Sequence, residues 1–84
     1  MKNEIIVYST RICPFCVAAK NLLTSQNLDY QEIMVDKDPE QRAIMMEKSG
    51  RTSVPQIFIN GTHVGGFDDL NAKVRNNELN SLLR

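Results

Sequence analysis

A short β-type run that passes into a helical pattern near the start of the chain restricts the possible folds more than any other feature. Residues 5–8 (Ile-Ile-Val-Tyr) are too few for a helix and predict a buried strand. Apolar residues then recur at helical spacing over residues 14–26, with one apolar face predicted to begin at Val17 and to include Ala18, Ala19, Leu22 and Leu23. Residues 30–35 form a second β-type run. A strand, a helix and a strand in this order predict a parallel pair joined by a right-handed crossover.

The second half of the chain predicts a helix followed by a hairpin. Asp38 and Pro39 are typical of a helix start, and Gly50 is typical of the residue that follows a helix. The pair Asn60-Gly61 favours a two-residue turn between strands at 57–59 and 62–64.

A third helix completes the predicted domain. It opens at Asp68-Asp69 and runs through Val74, and a last helical turn holds Leu79, Leu82 and Leu83. We therefore predict one α/β domain over residues 1–84, a four-stranded mixed sheet flanked by helices in the order β-α-β-α-β-β-α.

The charge balance and the length exclude several functional classes. The 84 residues carry ten basic and ten acidic side chains without a long run of either sign, so nucleic acid and anionic membranes are not expected partners. No apolar stretch approaches the roughly 20 residues of a spanning helix, and the N-terminus does not resemble a signal peptide. We expect a cytoplasmic monomer.

The two cysteines of the chain, Cys13 and Cys16, lie where the first predicted strand gives way to the first helix. The N-terminus of a helix presents free N–H groups and the positive end of the helix dipole, which favour the reactive thiolate. We therefore predict that Cys13 is the attacking thiolate. Cys16 lies one turn further on the same side of the helix and is predicted to be the resolving thiol, with Pro14 stiffening the turn.

A zinc site and a structural disulfide are less favoured roles for the cysteine pair. The pair could be half of a zinc site, but zinc needs three or four ligands, and His63 and scattered carboxylates are the remaining donors. No metal site is therefore predicted. A structural disulfide would be opened in a reducing cytosol, whereas C-x-x-C beside a βαβ pattern is typical of a redox site.

The chain resembles the glutaredoxin family in three separated motifs. Residues 13–16 (C-P-F-C) resemble the family's C-P-Y-C, residues 52–59 resemble T-V-P-x-x-F-I, and residues 65–70 resemble G-G-x-D-D-L. The resemblance covers nearly the whole chain. It implies the thioredoxin fold and a glutathione-dependent thiol–disulfide oxidoreductase that reduces protein disulfides and glutathione mixed disulfides. Glutathione would be the reducing co-substrate, disulfide-containing or glutathionylated proteins would be the partners, and no cofactor would be bound permanently.

The resemblance also implies a glutathione site around the second and third motifs. The position of Pro55 follows a cis peptide bond in the family, which would expose the N–H and C=O of Val54 to an extended peptide; an ordinary proline opening a strand is the alternative. The N–H groups of Phe67 and Asp68 would hold a carboxylate, and Asp68 or Asp69 would hold an ammonium group. The alternative role for Asp68 is simple N-capping.

Three further positions belong to this predicted site. Phe15 flanks bound glutathione by the family analogy, although local packing explains it equally well. Ser53 replaces the usual Thr and keeps a hydroxyl. Many glutaredoxins have Lys three residues before the first Cys, where this chain has Thr10. Arg11 is the nearest cation, and whether it replaces that lysine stays open, because alternation along an extended segment would point it elsewhere.

Two alternative functions remain beside this one. A thioredoxin-like reductant fed by a flavoprotein reductase is disfavoured because the chain has no Trp and carries the G-G-x-D-D turn. An iron–sulfur module that bridges a cluster between two subunits is disfavoured by Pro14 and by the second thiol.

Overall fold

The computed structural model describes residues 3–83 and confirms the predicted order of elements. Most boundaries agree with the prediction to within one residue. The strands are Ile5–Ser9 (β1), Gln31–Met34 (β2), Gln56–Ile59 (β3) and Thr62–Gly65 (β4), the helices are Pro14–Ser25 (α1), Pro39–Ser49 (α2) and Phe67–Arg75 (α3), and a 3₁₀ turn covers Leu79–Leu82.

The four strands form one mixed sheet in the order β2-β1-β3-β4. β1 and β2 are parallel, as the β1-α1-β2 crossover predicts, and β1 with β3 and β3 with β4 are antiparallel. Asn60 and Gly61 have φ angles of 50° and 86° at the hairpin turn, which is the left-handed geometry that this dipeptide favours. No helix within residues 3–83 is long and apolar enough to cross a membrane.

Local capping explains where α2 begins and ends. The Asp38 carboxylate accepts a hydrogen bond from the backbone N–H of Gln41 at 3.1 Å, and Pro39 occupies the first helical position. Gly50 ends the helix with a φ of 71°, a conformation that costs glycine little because it has no Cβ. The predicted signals at both ends of this helix are therefore confirmed.

Alternation along the strands divides the core between the two faces of the sheet. Ile5 and Val7 face α1 and α3, where they pack with Leu23 and Leu70. The opposite face packs against α2, and its buried cluster consists of Tyr8, Val35, Met45 and Phe58.

The apolar face of α1 differs from the predicted one by one residue. Val17 was expected to begin this face, but 50% of it is exposed, whereas Cys16 is 1% exposed. Cys16, Ala19 and Leu23 follow the spacing i, i+3 and i+7 and share one stripe, and Val17 lies about 100° further around the helix. This rotation buries the second cysteine.

Replacing a buried residue of that stripe is expected to destabilise the fold, and replacing its exposed neighbour is not. Leu23→Ala leaves a cavity in the core and should lower the free energy of unfolding by about 2–5 kcal/mol. Val17→Ala serves as the matched control on the same helix and should change it by less than about 0.5 kcal/mol. Urea denaturation of both variants measures the difference, and equal losses would contradict the assigned face.

Candidate active site

Cys13 is the N-cap residue of α1, and its sulfur performs the capping. Its backbone is extended (φ −154°, ψ 96°), and its Sγ accepts a hydrogen bond from the N–H of Cys16 at 3.1 Å. The two cysteines form a disulfide, with their Cα atoms 5.2 Å apart. Cys16 is buried, whereas Cys13 is partly exposed. A disulfide reactant from solution can therefore reach the sulfur of Cys13 before that of Cys16.

The segment before β3 lies against this pair. The Val54–Pro55 peptide bond is cis, as the family resemblance implies, and the carbonyl oxygen of Val54 lies 3.9 Å from the Sγ of Cys13. Pro55 is buried, and β3 begins at the next residue. The fold thus brings the second sequence motif, about forty positions along the chain, into contact with the first.

A groove of about 200 Å³ runs beside the cysteines, between the starts of α1 and α3. The ring of Phe15, which is 62% exposed, stacks on the ring of Phe67 with centroids 6.1 Å apart. The groove brings together seven of the residues predicted for glutathione: Phe15, Ser53, Val54, Pro55, Phe67, Asp68 and Asp69.

Arg11, the eighth predicted residue, does not line this groove. Its backbone N–H and its Nε both donate to Oδ2 of Asp36, at 3.3 and 3.1 Å. Desolvation would raise the pKa of Asp36, but the hydrogen bonds and the charge of Arg11 together outweigh it and hold the pKa below its usual range. The guanidinium is therefore engaged with a carboxylate that the sequence analysis did not consider.

The start of α3 differs from the predicted one, because the N-cap is Gly66 and the helix begins at Phe67. Capping by Asp68 is therefore wrong, and Asp69 supports the helix start instead. Its Oδ2 accepts from the N–H of Gly66 at 3.0 Å and from Nη1 of Arg51 at 3.1 Å. The hydrogen bond from the Gly66 N–H makes the largest contribution to lowering the pKa of Asp69, and the hydrogen bond from Arg51 lowers it further.

Gly65 leaves the room that this carboxylate occupies. Its φ is 122°, and a Cβ at this position would collide with the side chain of Asp69. The glycine is therefore needed for two reasons, its backbone conformation and the close approach of Asp69.

Three groove residues, Arg51, Gln56 and Gly66, were not among the predicted site residues. Arg51 directly precedes the second motif, so its place beside the groove could have been predicted from the sequence. Gln56 is fully buried, and its amide bonds to Ser53 and to His63. No cluster of three or more residues that could hold a metal ion occurs within residues 3–83.

Comparison with known proteins places this architecture in a family. The sequence model of the glutaredoxin family matches residues 5–64. The chain belongs to the glutaredoxin family. Glutaredoxin from Pseudomonas aeruginosa is 49% identical over 79 residues, which cover 94% of each chain. Glutaredoxin 3 of Escherichia coli is 44% identical over 81 residues, which cover 96% of this glutaredoxin and 98% of the relative.

Solved glutaredoxin structures confirm the thioredoxin fold. The buckwheat glutaredoxin–glutathione complex superimposes with a TM-score of 0.86 at 31% identity, covering 96% of this chain and 76% of the other. Glutaredoxin from Brucella melitensis gives a TM-score of 0.83 at 46% identity, covering 95% and 87%. This glutaredoxin is a glutathione-dependent thiol–disulfide oxidoreductase. The thioredoxin-like and iron–sulfur alternatives are not favoured.

The charge on Asp69 is expected to stabilise the fold when the pH is above 3.8, the ordinary pKa of an Asp side chain, and not in strong acid. A carboxyl with a lowered folded-state pKa contributes stability that disappears as the pH falls through that pKa. Asp69→Asn should therefore cost about 0.5–1 kcal/mol near neutral pH, since the site is half exposed, and almost nothing well below pH 3.8.

Urea denaturation at the two pH values measures this difference. Asp68→Asn is the matched control, because Asp68 is exposed and the N–H of Gly66 donates to Asp69 instead. An Asp69→Asn variant that loses the same stability at both pH values would contradict the assigned role.

Proposed function

We propose that this glutaredoxin uses Cys13 as the attacking thiolate in all of its reactions and Cys16 as the resolving thiol for protein disulfides. The observation that carries the proposal is the unequal placement of the two sulfurs. Cys13 is partly exposed at the N-terminus of α1, and its Sγ accepts a hydrogen bond from the N–H of Cys16, whereas Cys16 is 1% exposed. A positive helix end and a hydrogen bond to sulfur both favour the thiolate.

Reduction of a protein disulfide then takes two exchanges. The Cys13 thiolate attacks one substrate sulfur, so that a mixed disulfide forms and the other substrate sulfur leaves as a thiolate. The Cys16 thiolate next attacks Sγ of Cys13 and releases the second substrate thiolate. The enzyme is left with the Cys13–Cys16 disulfide found in the structure, and the two electrons now lie on the substrate.

Glutathione returns the enzyme to its dithiol form. One glutathione thiolate attacks Sγ of Cys13, which releases Cys16 and leaves glutathione joined to Cys13. A second glutathione thiolate attacks the glutathione sulfur of this mixed disulfide, so that glutathione disulfide leaves and the Cys13 thiolate is regenerated. Glutathionylated substrates enter the cycle at that last intermediate, and their reduction requires Cys13 alone.

We assign glutathione to the groove beside the cysteines. The tripeptide would extend along the backbone of Val54, next to Cys13, and pair with it as an added strand does. The first-turn N–H groups of α3 would hold the γ-glutamyl carboxylate, and the exposed carboxylate of Asp68 would hold the ammonium group. Phe15 and Phe67 supply an apolar wall, while Ser53 and Pro55 line the groove near Val54.

The glycine carboxylate of glutathione needs a cation, and Arg51 fits this role better than Arg11. Arg51 lines the groove and is about half exposed, and its Nη1 pairs with Asp69, which lines the same groove. Arg11 is held by two hydrogen bonds to Asp36, away from the groove. We therefore propose that Arg51 replaces the lysine that is missing at Thr10.

We further propose that the protein acts as a cytoplasmic monomer and holds no permanent cofactor. The cycle requires reduced glutathione, which the cytosol maintains. Large apolar side chains exposed by a third or more within residues 3–83 are Ile12, Phe15, Val17 and Met46. Three of these lie in or beside the cysteine motif, where a substrate would dock, so this surface does not need a second copy to cover it.

Replacing Cys13 and replacing Cys16 are expected to remove different activities. Cys13→Ser should abolish reduction of both substrate classes, because the attacking sulfur is gone. Cys16→Ser should keep most turnover of a glutathionylated peptide and lose most reduction of an intramolecular protein disulfide. Assays with both substrates, coupled to glutathione reductase, measure this, and a Cys16→Ser variant that fails equally on both would contradict the proposed roles.

The two arginines are expected to differ in their effect on glutathione binding. Arg51→Ala should raise the Michaelis constant for glutathione by up to about fivefold, the size expected for a partly exposed charge pair. Arg11→Ala is the matched control and should raise it by less than about twofold. Steady-state kinetics on both variants decide which arginine contacts glutathione. A larger effect of Arg11→Ala would show that Arg11, and not Arg51, takes the place of the missing lysine.

A further inference from the structure

The buried side chain of Gln56 joins the loop beside the cysteines to the β3–β4 hairpin. Gln56 has no exposed surface. Its Nε2 donates to the carbonyl oxygen of Ser53 at 3.0 Å, and its Oε1 lies 2.7 Å from Nε2 of His63. Both ends of the amide are therefore satisfied inside the protein, as a buried polar group requires.

The contacts at the two ends of the Gln56 amide fix which way it points. Because the Gln56 amide nitrogen donates to a carbonyl, its oxygen must be the acceptor, and His63 must carry its proton on Nε2. The imidazole packs on Phe58 with ring centroids 4.9 Å apart. Burial makes the largest contribution to lowering the pKa of His63, and the charge of Arg51 lowers it further, while the charge of Asp69 acts in the opposite direction. The ring is therefore neutral near pH 7. Its N–H therefore holds the amide in one orientation.

The amide in turn orients a peptide unit beside Cys13. The carbonyl of Ser53 and the N–H of Val54 are opposite ends of one planar trans peptide, so they point in opposite directions. Since Gln56 holds the Ser53 oxygen toward the interior, the N–H of Val54 is turned outward. Within residues 3–83 this N–H has no hydrogen-bond partner, and the carbonyl of the same residue lies 3.9 Å from Cys13 Sγ.

We propose that Gln56, held by His63, is a positioning residue that aims the N–H of Val54 at a backbone carbonyl of the substrate. The acceptor would be an amide carbonyl of glutathione or of an extended peptide that carries the disulfide. This inference rests on the proposed function, because it takes the backbone of Val54 as the surface that the substrate pairs with. Gln56 itself does not touch the reacting sulfurs and acts through the Ser53–Val54 peptide.

The first test separates binding from chemistry. Gln56→Leu has a similar size and removes both amide bonds, so the Ser53–Val54 peptide is no longer held. The Michaelis constant for a glutathionylated peptide should rise about three- to tenfold, the range for one lost hydrogen bond. The turnover number should change less than about twofold, because sulfur exchange at Cys13 does not involve this amide.

A second pair of variants tests the same chain of contacts from its other end. His63→Phe keeps an aromatic ring against Phe58 and removes the donor to Gln56, so the Michaelis constant should rise in the same direction. His63→Gln supplies an amide N–H and should restore most of the loss. Leu23→Ala is the control for destabilisation alone and should leave the Michaelis constant unchanged while the protein is folded. If Gln56→Leu does not fold, the two His63 variants decide the matter.

An NMR measurement on the protein without substrate gives a readout that does not depend on activity. In the Gln56→Leu or His63→Phe variant the amide resonance of Val54 should shift and its hydrogen exchange should change, whereas Leu23→Ala should leave the Val54 shift in place. An unchanged Val54 amide together with an unchanged Michaelis constant would overturn the inference. A wild-type protein that does not turn over glutathionylated peptide would overturn the proposed function instead, and the Val54 amide would still test the role of Gln56.

Discussion

The hydrogen bond from the Cys16 N–H to the Cys13 sulfur links the start of α1 to the chemistry of the site. The side chains preferred at this position are those of Ser, Thr, Asp and Asn, which accept the hydrogen bond with an oxygen. In the proposed mechanism the capping atom is also the reacting atom, so the helix dipole and the free N–H groups at the N-terminus of α1 would also stabilise its thiolate. The same geometry turns Cys16 into the core stripe of α1 and leaves Cys13 at the surface. The two sulfurs therefore acquire different accessibility from the way the helix begins.

The groove is assembled from three loops that lie at one end of the sheet. The cysteine loop follows β1, the Val54–Pro55 segment precedes β3, and the Gly66 turn connects β4 to α3. β3 lies between β1 and β4 and is antiparallel to both, so the end of β1, the start of β3 and the end of β4 lie at the same end of the sheet. Contacts between them then fix the details, through the stacked rings of Phe15 and Phe67 and through the Asp69 carboxylate.

Local signals in the sequence predicted most of the elements, because their causes are local. Pro14, Asp38 and the Asn60-Gly61 pair each specify a helix start or a turn from a few neighbouring residues. The exposure of Val17 could not be predicted in this way, because it depends on how α1 is rotated against the sheet. The pairs Arg11–Asp36 and Arg51–Asp69 join residues 25 and 18 positions apart, and no local pattern reports such contacts. The groove residues were predictable only from the resemblance to a family.

The collision between a Cβ at position 65 and the Asp69 carboxylate couples two positions that are four residues apart. Asp69 in turn holds the N–H of Gly66 and the guanidinium of Arg51. A library randomised across 65–69 and selected for folding should therefore recover glycine and aspartate together. Exchanging the glycine alone displaces the carboxylate, and exchanging the aspartate alone leaves the turn without its cap. For protein engineering, folding therefore restricts Gly65 and Asp69 in this loop, whereas the exposed Asp68 is restricted by its proposed contact with glutathione and not by the fold.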